Sequence, residues 1–260
     1  MDKKIENISF GVLGGTGVYG LDGVKIIGTV KVATPYGQVK LKIGGFNNFK
    51  LAFLNRHGEA HGLPPHHINY RANIFALKKI GVKAIFATNS VGAINPKMKP
   101  GDLVFSDQYI DFTKSRQSTF YTGGKNGIKH VDQTNPYCPD LRRVLIKNAK
   151  ELKIKHHPRG VIAVTEGPRF ETPAEINFYK KIGANIVNMT GYPEVALARE
   201  AGICYASICV VSNFAAGISK SPITLEEVNL IMGKIKKPLE ELILKTIETC
   251  SVGQNCDCRI

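Results

Sequence analysis

Apolar positions along this chain fall in short blocks whose period switches repeatedly between strand-like and helix-like. Residues 8–13, 24–32, 38–43 and 50–54 read as strands, divided by turn residues such as Thr34-Pro35-Tyr36-Gly37. Over residues 64–79 the period becomes helical, with Ile68, Ala72, Phe75 and Ala76 on one face and Gly81 as the closing glycine. A buried-type strand at 84–87 ends in Thr88-Asn89-Ser90-Val91-Gly92, and 103–105 and 108–112 read as further strands. Residues 113–139 lack periodicity, and an amphipathic helix over 139–152 turns Leu141, Val144, Leu145 and Ala149 inward. Two strand-like runs, VIAVTEG and NIVNMTG, flank Thr172-Pro173-Ala174-Glu175, a helix start with a capping hydroxyl, a first-turn Pro and Glu three positions on. A helix over 194–201, a strand over 204–214 and a helix from the Thr224–Glu227 capping box to about Cys250 complete the pattern. No repeat or linker interrupts it, so the pattern predicts one α/β domain over 1–260, with a Cys-containing tail at 250–260.

The 260 residues are 43% hydrophobic, enough for a sizeable core. No uninterrupted run of 18 apolar residues exists and the N-terminus lacks a signal-peptide pattern, so the expectation is a cytoplasmic protein with no membrane partner. The formal net charge is +14, but the lysines and arginines are scattered without a nucleic-acid-binding signature. Most of these lysines read as solvated surface, anionic small substrates fit a basic chain as well, and nucleic acid is kept as an alternative resting on charge alone. Cys138, Cys204 and Cys209 lie in or near apolar runs, whereas Cys250, Cys256 and Cys258 lie in the tail, the last two as C-x-C. A zinc site needs four ligands and no second pair stands at metal spacing, so no metal is expected; disulfides stay open.

Chemistry concentrates where strands end, the place where open α/β sheets bind ligands. The first strand runs into Gly14-Gly15-Thr16-Gly17, whose backbone N–H groups and Thr16 hydroxyl suit an anion. This stretch also contains G-x-G-x-x-G. The dinucleotide fingerprint needs a helix directly after it and an acidic residue about 20 positions on; VYGLDGVKIIG is a poor helix and no Asp or Glu lies between Asp22 and Glu59. A phosphate turn is therefore preferred to a nicotinamide site. Arg56-His57 follows another strand, and Arg matches phosphate oxygens with a fork of donors. Around the paired runs, Glu166, Arg169, Phe170, Glu171, Asn188, Met189 and Thr190 are expected to gather at one rim, joined by Ser212-Asn213.

The motifs GGTG, NRHG, NYRANIFALKKIG, GDLVFSDQYID, EGPRFET, NMTGYPEVALAREAGICYAS and SNFA resemble those of the trimeric purine nucleoside phosphorylase and methylthioadenosine phosphorylase family. The resemblance runs from about Gly11 to Val228. It implies a mixed central β-sheet flanked by helices, the nucleoside phosphorylase fold. It also implies phosphorolysis of a purine nucleoside without a cofactor, and a homotrimer or dimer of trimers. By position it assigns Thr16, Arg56, His57, Asn89, Ser90 and Thr190 to phosphate and Met189 to the ribose. Phe170, Glu171 and Asn213 fall at the base, with Asn188 close by. His61, Leu225 and Val228 line the pocket, the first and last near the 5′ substituent. Asn213 and His57 take catalytic roles with Glu171.

Two departures from the methylthioadenosine branch bear on substrate. That branch has Asp-x-Asp where this chain has Asn213 and Ala215, and a small hydroxyl residue where this chain has Glu171. The pairing of Glu with Asn is that of the 6-oxopurine phosphorylases. An ionised carboxylate only accepts hydrogen bonds, so Glu171 suits the N1–H of hypoxanthine or guanine and faces a lone pair in adenine. The expected activity is therefore cleavage of inosine and guanosine. Methylthioadenosine or methylthioinosine phosphorolysis is the alternative; a nucleoside hydrolase and a nicotinamide-dependent oxidoreductase are more distant.

Overall fold

Strand β5 (Ala84–Ala93) organises the sheet, because it changes neighbours partway along. The computed structural model describes residues 8–15, 20–58, 62–220, 222–251 and 256–258. Over Ala84–Ala87, β5 pairs in parallel with β1 (Ile8–Gly14), and at Gly92 and Ala93 it pairs antiparallel with β10 (Ile186–Asn188). Its other edge pairs in parallel with β11 (Cys204–Phe214) over the full length. Between the departure of β1 and the arrival of β10, Thr88–Val91 therefore borders a split in the sheet.

Among the described residues the remaining strands complete a mixed sheet of eleven. β2 (Lys25–Thr34), β3 (Gly37–Phe46) and β4 (Phe49–Asn55) form an antiparallel meander whose last member lies parallel to β1. β6 (Leu103–Phe105) and β8 (His156–His157) extend the β11 side, whereas β7 (Gln108–Phe112) and β9 (Val161–Thr165) extend the β10 side. Helices α1 (Tyr70–Lys79) and α4 (Gly191–Glu200) cover one face, burying Ile74, Leu77, Val195 and Leu197. Helices α2 (Pro139–Glu151) and α5 (Leu225–Thr249) cover the other with Leu141, Leu145, Leu239 and Ile243. Helix α3 (Pro173–Lys181) follows β9 behind the expected capping box, with Thr172 and Glu175 bonding each other's backbone N–H groups. Among the described residues no helix is long and apolar enough to cross a membrane.

Two departures from the periodicity lie beside the split, while α4 also begins at Gly191, ahead of the expected residue 194, and β8 was not expected. The helix expected from residue 64 starts at Tyr70, because Pro65–His67 form a 3-10 turn and the Asn69 side chain caps by accepting from the Ala72 N–H. The strand expected to stop at residue 87 continues to Ala93, because β11 supplies a backbone partner throughout. Thr88, Asn89 and Ser90 are thus strand residues beside a split, not a loop.

Candidate active site

The split in the sheet opens into a cavity of about 640 Å³. Of the site residues expected from sequence, Arg56, His57, Asn89, Ser90, Phe170, Glu171, Asn188, Met189, Thr190, Asn213, Ala215, Leu225 and Val228 line it. Thr16 and His61 lie outside the described residues. The contributing segments are far apart in sequence, and the sheet's division explains how they converge. β1 and β4 deliver Gly15 and Arg56 to one wall, and β10 delivers Asn188 to Thr190 to another. The β5–β11 pair forms the floor, where the register steps from Val211↔Val91 to Asn213↔Gly92, leaving Ser212 as the extra residue of a bulge. Bulges re-aim side chains; here the bulge leaves Ser212 and Asn213, adjacent in sequence, both lining the cavity.

One side of the cavity pairs an acid with an amide. Glu171 is buried and its Oε1 accepts from the Thr165 hydroxyl at 2.6 Å. Burial pushes its carboxyl above the ordinary glutamate range, and the Thr165 bond recovers part of the shift. Asn213 has its amide held at both ends: Oδ1 accepts from Ser212 at 2.7 Å, and Nδ2 donates to the Phe214 carbonyl at 2.8 Å. These contacts fix which end of the amide is the donor, leaving the second N–H of Nδ2 for a ligand. The Asn188 Nδ2 is buried and has no partner among the described residues, a donor that a polar ligand would satisfy. The Phe170 ring, 44% exposed, offers an apolar face at the mouth.

The other side gathers hydroxyls, an amide, an imidazole and a guanidinium. Ser90 donates to the Ser212 hydroxyl at 2.8 Å, so one chain of hydrogen bonds joins it to Asn213. Thr190 donates to Asn89 Oδ1 at 3.1 Å, and Asn89 Nδ2 donates to Ser207 at 2.8 Å. Asn89 is therefore spent largely on holding Thr190. The His57 Nδ1 lies 2.8 Å from the Leu63 carbonyl, which can only accept, so the ring donates there. Gly15 is required by close approach: a Cβ would lie 2.7 Å from the Thr88 carbonyl oxygen and 2.9 Å from an Arg56 guanidinium nitrogen.

Arg56 lines the cavity as expected, with much of its fork committed inside the protein. It is buried, with Nε and Nη2 donating to Glu194 at 2.9 and 2.8 Å and Nη1 donating to the Thr88 carbonyl at 2.8 Å. Tyr205 adds a 2.6 Å bond to the same Glu194 carboxylate. Burial alone would lower the guanidinium's pKa, but the Glu194 charge overrides it and holds Arg56 above its ordinary value. The fork is thus clamped in place with two N–H groups uncommitted by these bonds, rather than swinging freely to meet an anion.

Glu166 and Arg169 were expected at this rim and do not line the cavity. Glu166 is taken by the long loop, accepting from the Lys114 N–H and Ser115 hydroxyl and pairing with Arg116. Arg169 forks onto Glu175 at 2.7 and 2.9 Å. Conversely, Thr165 and Glu194 position lining residues and were not assigned from sequence. Ser212 stands beside Asn213 in the motif and was visible; Glu194 lies 138 positions from Arg56 and gave no local signal.

The Phosphorylase superfamily matches residues 9–248 of the chain. A curated relative from Moorella thermoacetica named "Probable 6-oxopurine nucleoside phosphorylase" is 47% identical over 249 residues, covering 96% of each chain. The 6-oxopurine nucleoside phosphorylase of Pyrococcus furiosus is 48% identical over 254 residues, covering 95% of each. Among solved structures, a methylthioadenosine phosphorylase from Schistosoma mansoni in complex with adenine superposes with a TM-score of 0.88 at 33% identity, over 93% of this chain and 91% of that one.

Proposed function

Because the chain belongs to the Phosphorylase superfamily, we propose that it is a purine nucleoside phosphorylase that cleaves 6-oxopurine nucleosides with inorganic phosphate. The products are the free base and ribose 1-phosphate, which makes the enzyme a pentosyltransferase of purine salvage. One observation carries the choice of base: a buried carboxylate and an oriented amide donor line the same cavity. Glu171 accepts from N1–H, and from the 2-amino group of guanine, while the remaining Asn213 N–H donates to N7 or O6.

In the reaction the C1′–N9 bond breaks with its electron pair passing to the purine, and a phosphate oxygen forms the new bond at C1′. Asn213 meets the charge that develops on the base, so its bond strengthens toward the transition state. Arg56, His57, Ser90 and Thr190 hold phosphate beneath the sugar, with Thr16 joining them, and Met189 supports the ribose. This chemistry calls for no cofactor, since phosphate is the co-substrate. Inosine supplied with phosphate should give hypoxanthine and ribose 1-phosphate, and adenosine should react more slowly by about 10² or more. Free ribose formed without phosphate would make the enzyme a hydrolase and overturn the proposal.

The apolar cavity wall of Ile223, Leu225 and Val228 supports a second reading, in which a 5′-methylthio group is accepted on the same 6-oxopurine base. We further propose a cytoplasmic homotrimer or dimer of trimers; the exposed Phe170 at the cavity mouth is consistent with cover from a neighbouring subunit.

The raised Glu171 carboxyl gives a pH signature with two opposite signs. The folded protein holds this proton more tightly than the unfolded chain. Its contribution to stability is full below the unfolded value and is lost as pH rises through the raised folded value. Base recognition needs the ionised form, so kcat/KM for inosine should fall as pH drops through that raised value, beginning above the ordinary glutamate range. In Glu171→Gln this limb should vanish from the pH–rate profile.

A further inference from the structure

At the opposite end of β11 from Asn213, the fold gathers four cysteines that lie far apart in sequence. The Sγ atoms of Cys138, Cys204, Cys256 and Cys258 all lie within 4.8 Å of one another. Cys138 precedes α2, Cys204 opens β11, and the C-x-C of the tail supplies the second pair that spacing along the chain did not reveal. We propose that these four sulfurs bind one zinc ion as a structural site.

Four ligands at about 2.3 Å in a tetrahedron stand about 3.8 Å from one another. A cluster in which every sulfur pair falls within 4.8 Å needs only small side-chain rotations to reach that figure. The Cys204 and Cys256 sulfurs are 3.4 Å apart. Four sulfurs converging on one point, three of them on buried residues, is the arrangement a single soft cation requires. Zinc with four thiolates carries a net charge of −2, and the surroundings answer it. The buried Arg199 guanidinium bonds Asp257, which stands between the two tail cysteines, at 3.3 and 3.1 Å. Cys138 is the N-cap residue of α2 and makes no cap hydrogen bond, so its sulfur stands at the positive end of that helix.

The backbone positions are fixed independently of a metal. The Cys138 N–H donates to the Tyr205 carbonyl at 2.8 Å, and the Cys204 N–H donates to the Lys83 carbonyl at 3.0 Å. The ion would fasten residues 256–258, beyond the end of α5, to the start of β11 and the head of α2. The other end of α5 carries Leu225 and Val228 into the cavity. Asn213 is nine residues along β11 from Cys204, roughly 30 Å for an extended strand, so the ion takes no part in the reaction.

Full-length protein from zinc-supplemented cells, purified without chelator, should contain one zinc per chain by atomic absorption. It should show six thiols when unfolded without reductant. Exchange with cobalt should produce the intense visible bands of tetrahedral cobalt thiolate. Cys138→Ser and Cys258→Ser should lose the metal and melt at lower temperature while keeping the native kcat for inosine at moderate temperature; Cys250→Ser should retain the metal. If a variant does not fold, the metal content and cobalt spectrum of the native protein still decide. Six reduced thiols with no zinc taken up on titration would overturn the proposal, and so would missing thiols with no metal, the mark of disulfides in its place.

Discussion

Glu171→Ala should lower kcat/KM for inosine by about 10³-fold while changing the slow adenosine reaction far less. The substitution removes a charge-assisted hydrogen bond to the base, worth roughly 1.5–3 kcal/mol. It also strands one donor of the substrate, the base N1–H; the Thr165 hydroxyl, now bonded to Glu171 at 2.6 Å, loses its partner equally in the free enzyme and so costs stability rather than kcat/KM. That buried unmatched group adds about 1–3 kcal/mol, and a total near 4 kcal/mol corresponds to about three decades. Adenine offers a lone pair at N1, so the carboxylate gives it nothing to lose. Steady-state kinetics on both nucleosides separates the cases: equal losses would mean that Glu171 supports the fold or the sugar, not the identity of the base.

Arg56→Met should cost about 3–5 kcal/mol of stability, because it leaves the Glu194 carboxylate buried with its cationic partner gone. For a chain of this length that is a fall in Tm of roughly 10 °C. The same variant should raise the KM for phosphate at least tenfold if the uncommitted guanidinium N–H groups meet the anion. A second substitution separates the two effects. Glu194→Gln in the Arg56→Met background removes the buried charge and should recover much of the Tm, with Tyr205 still donating to the side-chain oxygen. The phosphate KM should stay high. Recovery of both would show that Arg56 acts only by holding Glu194.

Residue types and spacing carried much of this site before its geometry was known, and the limits are physical. Glu171 and Asn213 were legible as cavity-lining residues because both stand in recognisable motifs at strand ends. The strand order around β5 was not legible, since pairing between β10 and β5 joins segments almost a hundred residues apart. The same limit hid Glu194, which clamps the Arg56 guanidinium through two hydrogen bonds. Glu166 and Arg169 show the opposite error. They have the right types at the right place in the chain, but Arg116 and Glu175 claim them, and composition does not say which way a side chain turns. The four-cysteine cluster follows the same rule: two of its members come together only when the tail returns to the start of β11.

The most direct test of the central claim is a crystal structure with hypoxanthine and phosphate bound. The Glu171 carboxylate should lie within hydrogen-bond distance of N1, and the Asn213 amide nitrogen within the same distance of N7 or O6, with phosphate between Arg56, Ser90 and Thr190. A base bound with both side chains turned away from its edge would contradict the account.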